Sequence, residues 1–262
     1  MGRIADAFTT LKQNGKKGFI PYITAGDPDL ATTGRLLMTI APYATLIELG
    51  VPFSDPMADG PVIQRASERA LKHDFGLQEI LDTAARARTQ IDTPIILFSY
   101  YNPVLQFGLK RVAQAAKDAG VDGVLVTDLT PEESGEFEAE LRAHGLDMIF
   151  LIAPTSTDER LKLVAEHASG FIYAVSRAGV TGAREKVSEE AEKLVKRMRQ
   201  FSSLPIAVGF GISNAAQVAD VSRYADAVVV GSAIVAEMER LADAPELVEG
   251  VSQFLDRITG CS

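Results

Sequence analysis

Residues 123–154 read GVLVTDLTPEESGEFEAELRAHGLDMIFLIAP, and the pattern in this stretch decides the fold. Two short apolar segments, 123–128 and 148–154, flank the polar segment 131–145, which opens with a proline and acidic residues and has helical spacing of its apolar residues. Apolar runs of this length predict strands that are buried on both faces, and the intervening helix predicts that the two strands are parallel. We therefore expect a parallel sheet covered by helices.

The same alternation of strand and helix occurs eight times along the chain. Segment 187–201, VSEEAEKLVKRMRQF, is a further helical segment, rich in good helix formers. Eight units in about 250 residues predict a (β/α)8 TIM barrel. The predicted strands are 18–26, 45–52, 95–102, 123–128, 148–154, 170–176, 205–212 and 226–232.

An additional amphipathic helix is predicted over residues 3–14, before the first strand. A doubly wound open sheet is the alternative fold, but no GxGxxG motif follows the first strand. No linker or low-complexity segment divides the chain, which predicts a single TIM-barrel domain over residues 1–262.

Composition excludes several classes of function. The 26 Lys and Arg against 35 Asp and Glu give a net charge of -9 without a basic cluster, which argues against a nucleic-acid partner. The first 19 residues lack the apolar core of a signal peptide, and no apolar run reaches the ~18 residues of a membrane span, so a cytoplasmic location is predicted. A lone cysteine, Cys261, excludes an intrachain disulfide, and three scattered histidines do not indicate a metal site.

Glycine-rich segments follow the seventh and eighth predicted strands, at the barrel end where active sites lie. They are GFGIS (209–213) and GSAIV (231–235). Backbone N–H groups can converge on an anion where glycines remove the Cβ, and barrels often bind phosphate at these two loops. The pattern predicts a phosphate site, although either segment alone is also compatible with a tight turn.

Residues 46–61, LIELGVPFSDPMADGP, place three carboxylates at the end of the second strand. Glu48 interrupts an apolar strand, and a buried carboxyl group without partners raises its pKa and holds a proton. Asp59 and Asp55 follow in the loop, where each is also compatible with a cap or a turn. Of two carboxyl groups in different environments, one can transfer protons while the other stays ionised and stabilises positive charge. This division suits lyase or isomerase chemistry on a phosphorylated substrate.

The loop after the sixth strand, SRAGVTGA (176–183), is longer than a βα connection needs. Its glycines allow hinge motion, so we interpret it as a lid, with an ordinary surface loop as the alternative.

Six motifs, in their order and spacing, resemble the tryptophan synthase alpha subunits over essentially the whole chain. They are PYITAGDPD (21–29), ELGVPFSDPMADGPVIQ (48–64), PEES (131–134), SRAGVTGA (176–183), GFGIS (209–213) and GSAIV (231–235). The resemblance implies retro-aldol cleavage of indole-3-glycerol phosphate into indole and glyceraldehyde 3-phosphate. It also implies that Glu48 is the general acid/base and that Asp59 binds the indole N–H and stabilises the cationic intermediate.

The same resemblance implies the remaining site residues. The substrate-binding set implied is Tyr22, Phe98, Leu125, Tyr173, Thr181, Gly182, Gly209, Phe210, Gly211, Gly231 and Ser232. In this set Thr181 is implied to reach from the lid toward the Asp59 loop. Two departures, Tyr22 in place of the family's Phe and Phe98-Ser99 in place of Leu-Met, bear on pocket shape.

The implied partner is the tryptophan synthase beta subunit, in an alpha2-beta2 tetramer, with Pro52, Asp55 and Pro56 on the side that faces it. Pyridoxal phosphate is expected in that beta subunit, and no cofactor is expected in this chain. Three alternatives remain open: a stand-alone indole-3-glycerol phosphate lyase, a subunit that mainly activates a beta subunit, and another phosphate-sugar isomerase or epimerase.

Overall fold

A computed structural model of the chain describes residues 2–175, 189–209, 211–242 and 244–260. Eight parallel strands form a closed barrel in which each strand pairs with the next and the eighth pairs with the first. The predicted barrel and its eight strands are confirmed. The strands are β1 (Gly18–Thr24), β2 (Ile47–Gly50), β3 (Ile95–Ser99), β4 (Gly123–Val126), β5 (Asp147–Ile152), β6 (Ile172–Val175), β7 (Ile206–Gly209) and β8 (Ala227–Val230).

Helices surround the barrel, and α1 precedes the first strand as predicted. In the described ranges the helices are α1 (Arg3–Gln13), α2 (Leu30–Ile40), α3 (Pro61–Ala70), α4 (Leu77–Arg88), α5 (Tyr101–Phe107), α6 (Leu109–Asp118), α7 (Gly135–Ala143), α8 (Asp158–His167), α9 (Glu189–Met198), α10 (Ala215–Val221), α11 (Ser232–Arg240) and α12 (Leu247–Thr259), with a short 3-10 helix at Ala41–Tyr43. None of these is long and apolar enough to cross a membrane.

Several predicted boundaries differ from the structure: the predicted strands 45–52 and 226–232, for example, are longer than β2 and β8, and Ser232 begins α11. Tyr101 and Asn102, predicted as the end of the third strand, begin α5 instead. The Tyr101 N–H donates a 2.6 Å hydrogen bond to the Asp128 carboxylate, which satisfies a free N–H at the start of that helix. The segment predicted to be helical from residue 131 forms a turn first, and α7 begins only at Gly135.

The apolar core has two parts because alternate strand residues point to opposite faces of the sheet. Residues that face outward, such as Ile47 and Leu49, pack under the surrounding helices. Residues that face inward fill the barrel, whose end nearest α1 contains the contact between Phe8 and Phe171, with ring centroids 5.9 Å apart. Among these inward-facing residues, Glu48 on β2 is a buried carboxyl group.

Candidate active site

Glu48 lies inside the barrel on β2. Its neighbours in sequence, Ile47 and Leu49, belong to the outer core, so alternation along the strand directs Glu48 inward. Its register partners are Tyr22 on β1 and Ile96 on β3. Strand geometry therefore surrounds this carboxyl group with apolar and aromatic side chains.

The Glu48 carboxyl group is buried, and one of its oxygens has no partner among the described residues. The side chain is 1% exposed, and its Oε1 atom has no hydrogen-bond partner in the part of the chain that the structure describes. Desolvation raises the pKa of Glu48 well above the ordinary value for a glutamate. Burial therefore favours the protonated form of Glu48, which is the form that can donate a proton.

Asp59 is also buried, at 6% exposure, but it has a donor. The Tyr100 hydroxyl donates a 3.1 Å hydrogen bond to Asp59 Oδ2 and accepts a 2.9 Å hydrogen bond from the N–H of Ala58. Burial raises the pKa of Asp59 to about 6, and the hydrogen bond from Tyr100 opposes this rise. Asp59 is therefore mostly ionised at pH 7, whereas the burial of Glu48 favours its protonated form.

The loop that carries Asp59 is anchored to the helix that follows it. Gln64 on α3 donates from Nε2 to the carbonyl oxygens of Asp59, at 2.9 Å, and Pro56, at 3.4 Å. The N–H of Asp59 donates to the same Pro56 carbonyl at 3.0 Å. The position of Asp59 thus depends on the position of α3.

The residues predicted to face a partner lie earlier in this loop. Asp55 is exposed, Pro56 is half-buried and Pro52 is buried. Met57, which was not predicted, is 88% exposed and is the most exposed of the large apolar side chains described.

The four residues predicted to line the pocket are all buried in the barrel interior: Tyr22, Phe98, Leu125 and Tyr173. The Tyr22 and Phe98 rings meet edge to face at 5.3 Å, and the Tyr22 hydroxyl lies 3.3 Å from Thr24 Oγ1. Burial, and secondarily the charges of Asp59 and Glu48, raise the pKa of both tyrosines well above the ordinary value. The aromatic residues therefore lie around the two carboxyl groups.

Two glycines allow the tyrosine rings to reach these positions. A Cβ atom at Gly50 would lie 2.1 Å from the Tyr22 hydroxyl oxygen, and one at Gly209 would lie 2.2 Å from that of Tyr173. Both distances are far inside van der Waals contact. Gly50 and Gly209 are therefore required by packing at the mouth of the barrel, whatever ligand binds there.

The predicted phosphate-binding residues are described in part. Gly209 ends β7, Gly211 has a φ of +81°, and Gly231 and Ser232 lie at the start of α11. Phe210, Thr181 and Gly182 lie outside the described residues, as does the predicted lid at 176–183. The phosphate-binding role stays a prediction, since packing against Tyr173 and a left-handed backbone already account for Gly209 and Gly211.

Tyr100 is the residue near the carboxyl groups that sequence reasoning missed. It follows β3 in the sequence SYYN, next to a second tyrosine, and nothing in that pattern distinguishes the two. Within the described ranges, no group of His, Cys, Asp or Glu side chains is arranged to bind a metal ion.

Comparisons with known proteins all identify the same family. Residues 8–257 match the family model described as tryptophan synthase alpha chain. The protein of that name from Geobacter sulfurreducens is 51% identical over 98% of both chains, and the one from Burkholderia thailandensis is 49% identical over 100% of this chain and 98% of the relative.

Solved structures agree with the sequence comparisons. Tryptophan synthase subunit alpha from Legionella pneumophila has a TM-score of 0.91 at 37% identity, over 99% of this chain and 98% of that one. A chain from the structure of the tryptophan synthase a2b2 complex of Pyrococcus furiosus has a TM-score of 0.87 at 40% identity, over 93% and 98%. Fold and sequence are therefore similar along nearly the entire length.

Proposed function

Because this chain belongs to the family of tryptophan synthase alpha chains, we propose that it is a lyase that cleaves indole-3-glycerol phosphate into indole and glyceraldehyde 3-phosphate. The observation that carries this proposal is the pair of buried carboxyl groups at the mouth of the barrel. Desolvation favours the protonated form of Glu48, and Asp59 is ionised and hydrogen-bonded by Tyr100. The reaction needs both a proton donor and a fixed anion.

The first step is protonation of the indole ring. Glu48 gives its proton to carbon C3, and the ring becomes a cation with its positive charge centred on the nitrogen. The Asp59 carboxylate accepts a hydrogen bond from the indole N–H and stabilises that charge. Because this anion is already held by Tyr100, little reorganisation is needed when the charge develops.

The second step breaks the carbon–carbon bond. Glu48, now a carboxylate, takes the proton from the hydroxyl on the carbon attached to C3. The electron pair of the breaking bond returns to the ring, which restores neutral indole, and the carbon that lost it becomes the aldehyde of glyceraldehyde 3-phosphate. Glu48 ends the cycle protonated, as it began.

Binding is assigned to two regions of the barrel mouth. Indole would lie among Tyr22, Phe98, Leu125 and Tyr173, whose buried rings and side chains supply an apolar slot. The phosphate would lie against segments 209–211 and 231–232 and against Gly182, as the resemblance to the family implies. Backbone N–H groups bind an anion without positive side chains, which suits a chain with a net charge of -9.

We further propose that the chain assembles with a tryptophan synthase beta chain as an alpha2-beta2 tetramer. The related protein from Pyrococcus furiosus forms an a2b2 complex, and the loop with Asp55 and Met57 offers an exposed surface beside the Asp59 loop. The steps above use only side chains and backbone of this chain, so pyridoxal phosphate would belong to the beta partner. A cytoplasmic location stays a prediction.

The test is an indole-release assay on indole-3-glycerol phosphate, with the purified chain alone and with a beta subunit. We expect slow release by the chain alone and stimulation by the beta subunit. Absence of indole under both conditions would contradict the lyase assignment. Fast release without any stimulation would favour a stand-alone lyase over a synthase subunit.

A further inference from the structure

Helices α3 and α11 are connected by charged side chains outside the barrel mouth. Glu239 on α11 accepts from Arg65 Nε and Nη2 at 2.7 Å each, and from Arg69 Nη1 at 2.8 Å. Arg65 and Arg69 are one turn apart on α3, so both face α11. A single carboxylate therefore receives three hydrogen bonds from two guanidinium groups, and these bonds lower the pKa of Glu239 to about 2.

The same network extends into the loop after β1. Arg69 donates from Nε and Nη2 to both carboxylate oxygens of Asp27, each at 2.8 Å. Asp27 is 1% exposed, so this paired contact is protected from solvent. Three βα connections, after the first, second and eighth strands, are thus tied together through Arg69.

Helices α3 and α11, which this network connects, position opposite ends of the proposed substrate site. Helix α3 holds the Asp59 loop through Gln64, the residue before Arg65. Helix α11 begins at Ser232, in the segment assigned to the phosphate. A substrate that contacts Asp59 with its indole N–H and this segment with its phosphate must match the separation between the two.

We propose that Glu239, through Arg65 and Arg69, is a positioning residue that sets the distance between the Asp59 loop and the phosphate-binding start of α11. This inference rests on the proposed function. Exposed ion pairs contribute little to stability by themselves, but a network with paired geometry can fix the relative position of two helices. The network should therefore affect the affinity of ligands that span both ends of the site, and not the affinity of ligands that occupy one end.

The experiment compares two ligands on the purified chain by calorimetry. One is a non-cleavable analogue that carries an indole ring and a phosphate at opposite ends, and the other is inorganic phosphate. In Glu239→Gln the buried Asp27–Arg69 contact is retained, so we expect a folded protein. We expect the analogue to bind about tenfold more weakly while phosphate affinity changes less than about twofold, because only the analogue links two sites.

The matched control is Glu237→Gln. Glu237 lies on the same helix but accepts from Arg240 at 2.8 Å and lies 3.7 Å from Arg257 on α12, away from α3. We expect it to leave both affinities unchanged. A second variant, Arg65→Gln, should weaken the analogue in the same direction as Glu239→Gln.

Two outcomes would overturn the positioning role. Equal weakening of analogue and phosphate in Glu239→Gln would indicate general loosening of the site, and unchanged binding of the analogue would indicate that the network is only peripheral. Failure of the unsubstituted chain to bind the analogue or release indole would instead overturn the proposed function, and the inference with it.

Discussion

The Tyr100 hydroxyl donates a 3.1 Å hydrogen bond to Asp59 Oδ2 inside the barrel mouth. The same oxygen accepts the N–H of Ala58 at 2.9 Å, so the phenol is held by the loop whose carboxylate it orients. This arrangement stabilises the ionised form of a carboxyl group that burial would otherwise neutralise. Proposed catalysis therefore depends on Tyr100 as well as on the two carboxyl groups.

Tyr100→Phe should raise the pKa of Asp59 above its present value of about 6, because it removes the hydrogen bond that opposes desolvation. We expect kcat for indole release to fall about 10- to 100-fold, the amount associated with a lost hydrogen bond to a charged group. The acidic limb of the pH profile should also move to higher pH. Tyr101→Phe is the matched control, and equal effects of the two substitutions would contradict the assigned role of Tyr100.

Glu48→Gln should abolish indole release while the fold is retained. Glutamine has nearly the shape of the protonated carboxyl group that the buried site already accommodates, but it cannot transfer a proton. We expect a loss of at least about 10²- to 10⁴-fold in kcat, the usual contribution of a general acid or base. Circular dichroism and phosphate binding should be unchanged; unaltered turnover would refute the proton-transfer role.

Asp59→Asn should lower activity and, at high pH, raise the free energy of unfolding. The folded-state pKa of about 6 lies above the ordinary 3.8. Between about pH 4 and pH 6 Asp59 ionises in the unfolded chain but stays largely protonated in the folded protein, so the wild-type protein loses stability as pH rises through this range. We expect the asparagine variant to be more stable by on the order of 3 kcal/mol at pH 8, with this gain absent below pH 4.

Urea unfolding at pH 4 and pH 8 measures this difference, and turnover measured in parallel should fall at least about 10²-fold because the fixed anion is lost. An equal stability difference at both pH values would show that the effect is not the cost of a buried charge. A variant that binds substrate weakly but turns over normally would contradict the charge-stabilising role.

The fold was predictable because strands buried on both faces must be nearly continuous apolar runs. Glu48 was predictable for the same reason, since a carboxylate stands out within such a run. Boundaries were less predictable where the capping group comes from a distant part of the chain: Tyr101 donates to Asp128, which follows β4 and lies 27 residues away in sequence. Local sequence therefore extended β3 into what is the first turn of α5.

The supporting contacts of the site could not be predicted from local patterns. Tyr100 and Asp59 are 41 residues apart, and Arg69 and Glu239 are 170 residues apart. Contacts at these separations follow no local sequence pattern, so only the folded barrel shows that the residues meet. Gly209 was predicted for a phosphate, whereas the structure gives it a packing reason that only the position of the Tyr173 ring reveals.

Gly209→Ala should destabilise the barrel mouth. The new methyl group would meet the Tyr173 hydroxyl at 2.2 Å and the Cβ of Val229 at 2.9 Å, so the ring must shift. We expect a loss of about 1–3 kcal/mol in the free energy of unfolding, as for other overpacked sites, together with a higher KM. Gly135→Ala is the control, because nothing lies within 4 Å of its added Cβ; equal losses in both variants would contradict the packing argument.

Met57→Ser should separate stimulation by a beta subunit from catalysis by the chain alone. Met57 is 88% exposed, so replacing it leaves the core intact, but an apolar side chain covered by a partner contributes about 1–3 kcal/mol to binding. We expect unassisted indole release to stay unchanged while the beta-subunit concentration needed for half-maximal stimulation rises about 10-fold or more. The control is Leu71→Ser, which removes another exposed apolar side chain at the far end of α3. Unaltered stimulation of the Met57 variant would show that the partner docks elsewhere, and a loss of unassisted turnover would show that this side chain supports the Asp59 loop itself.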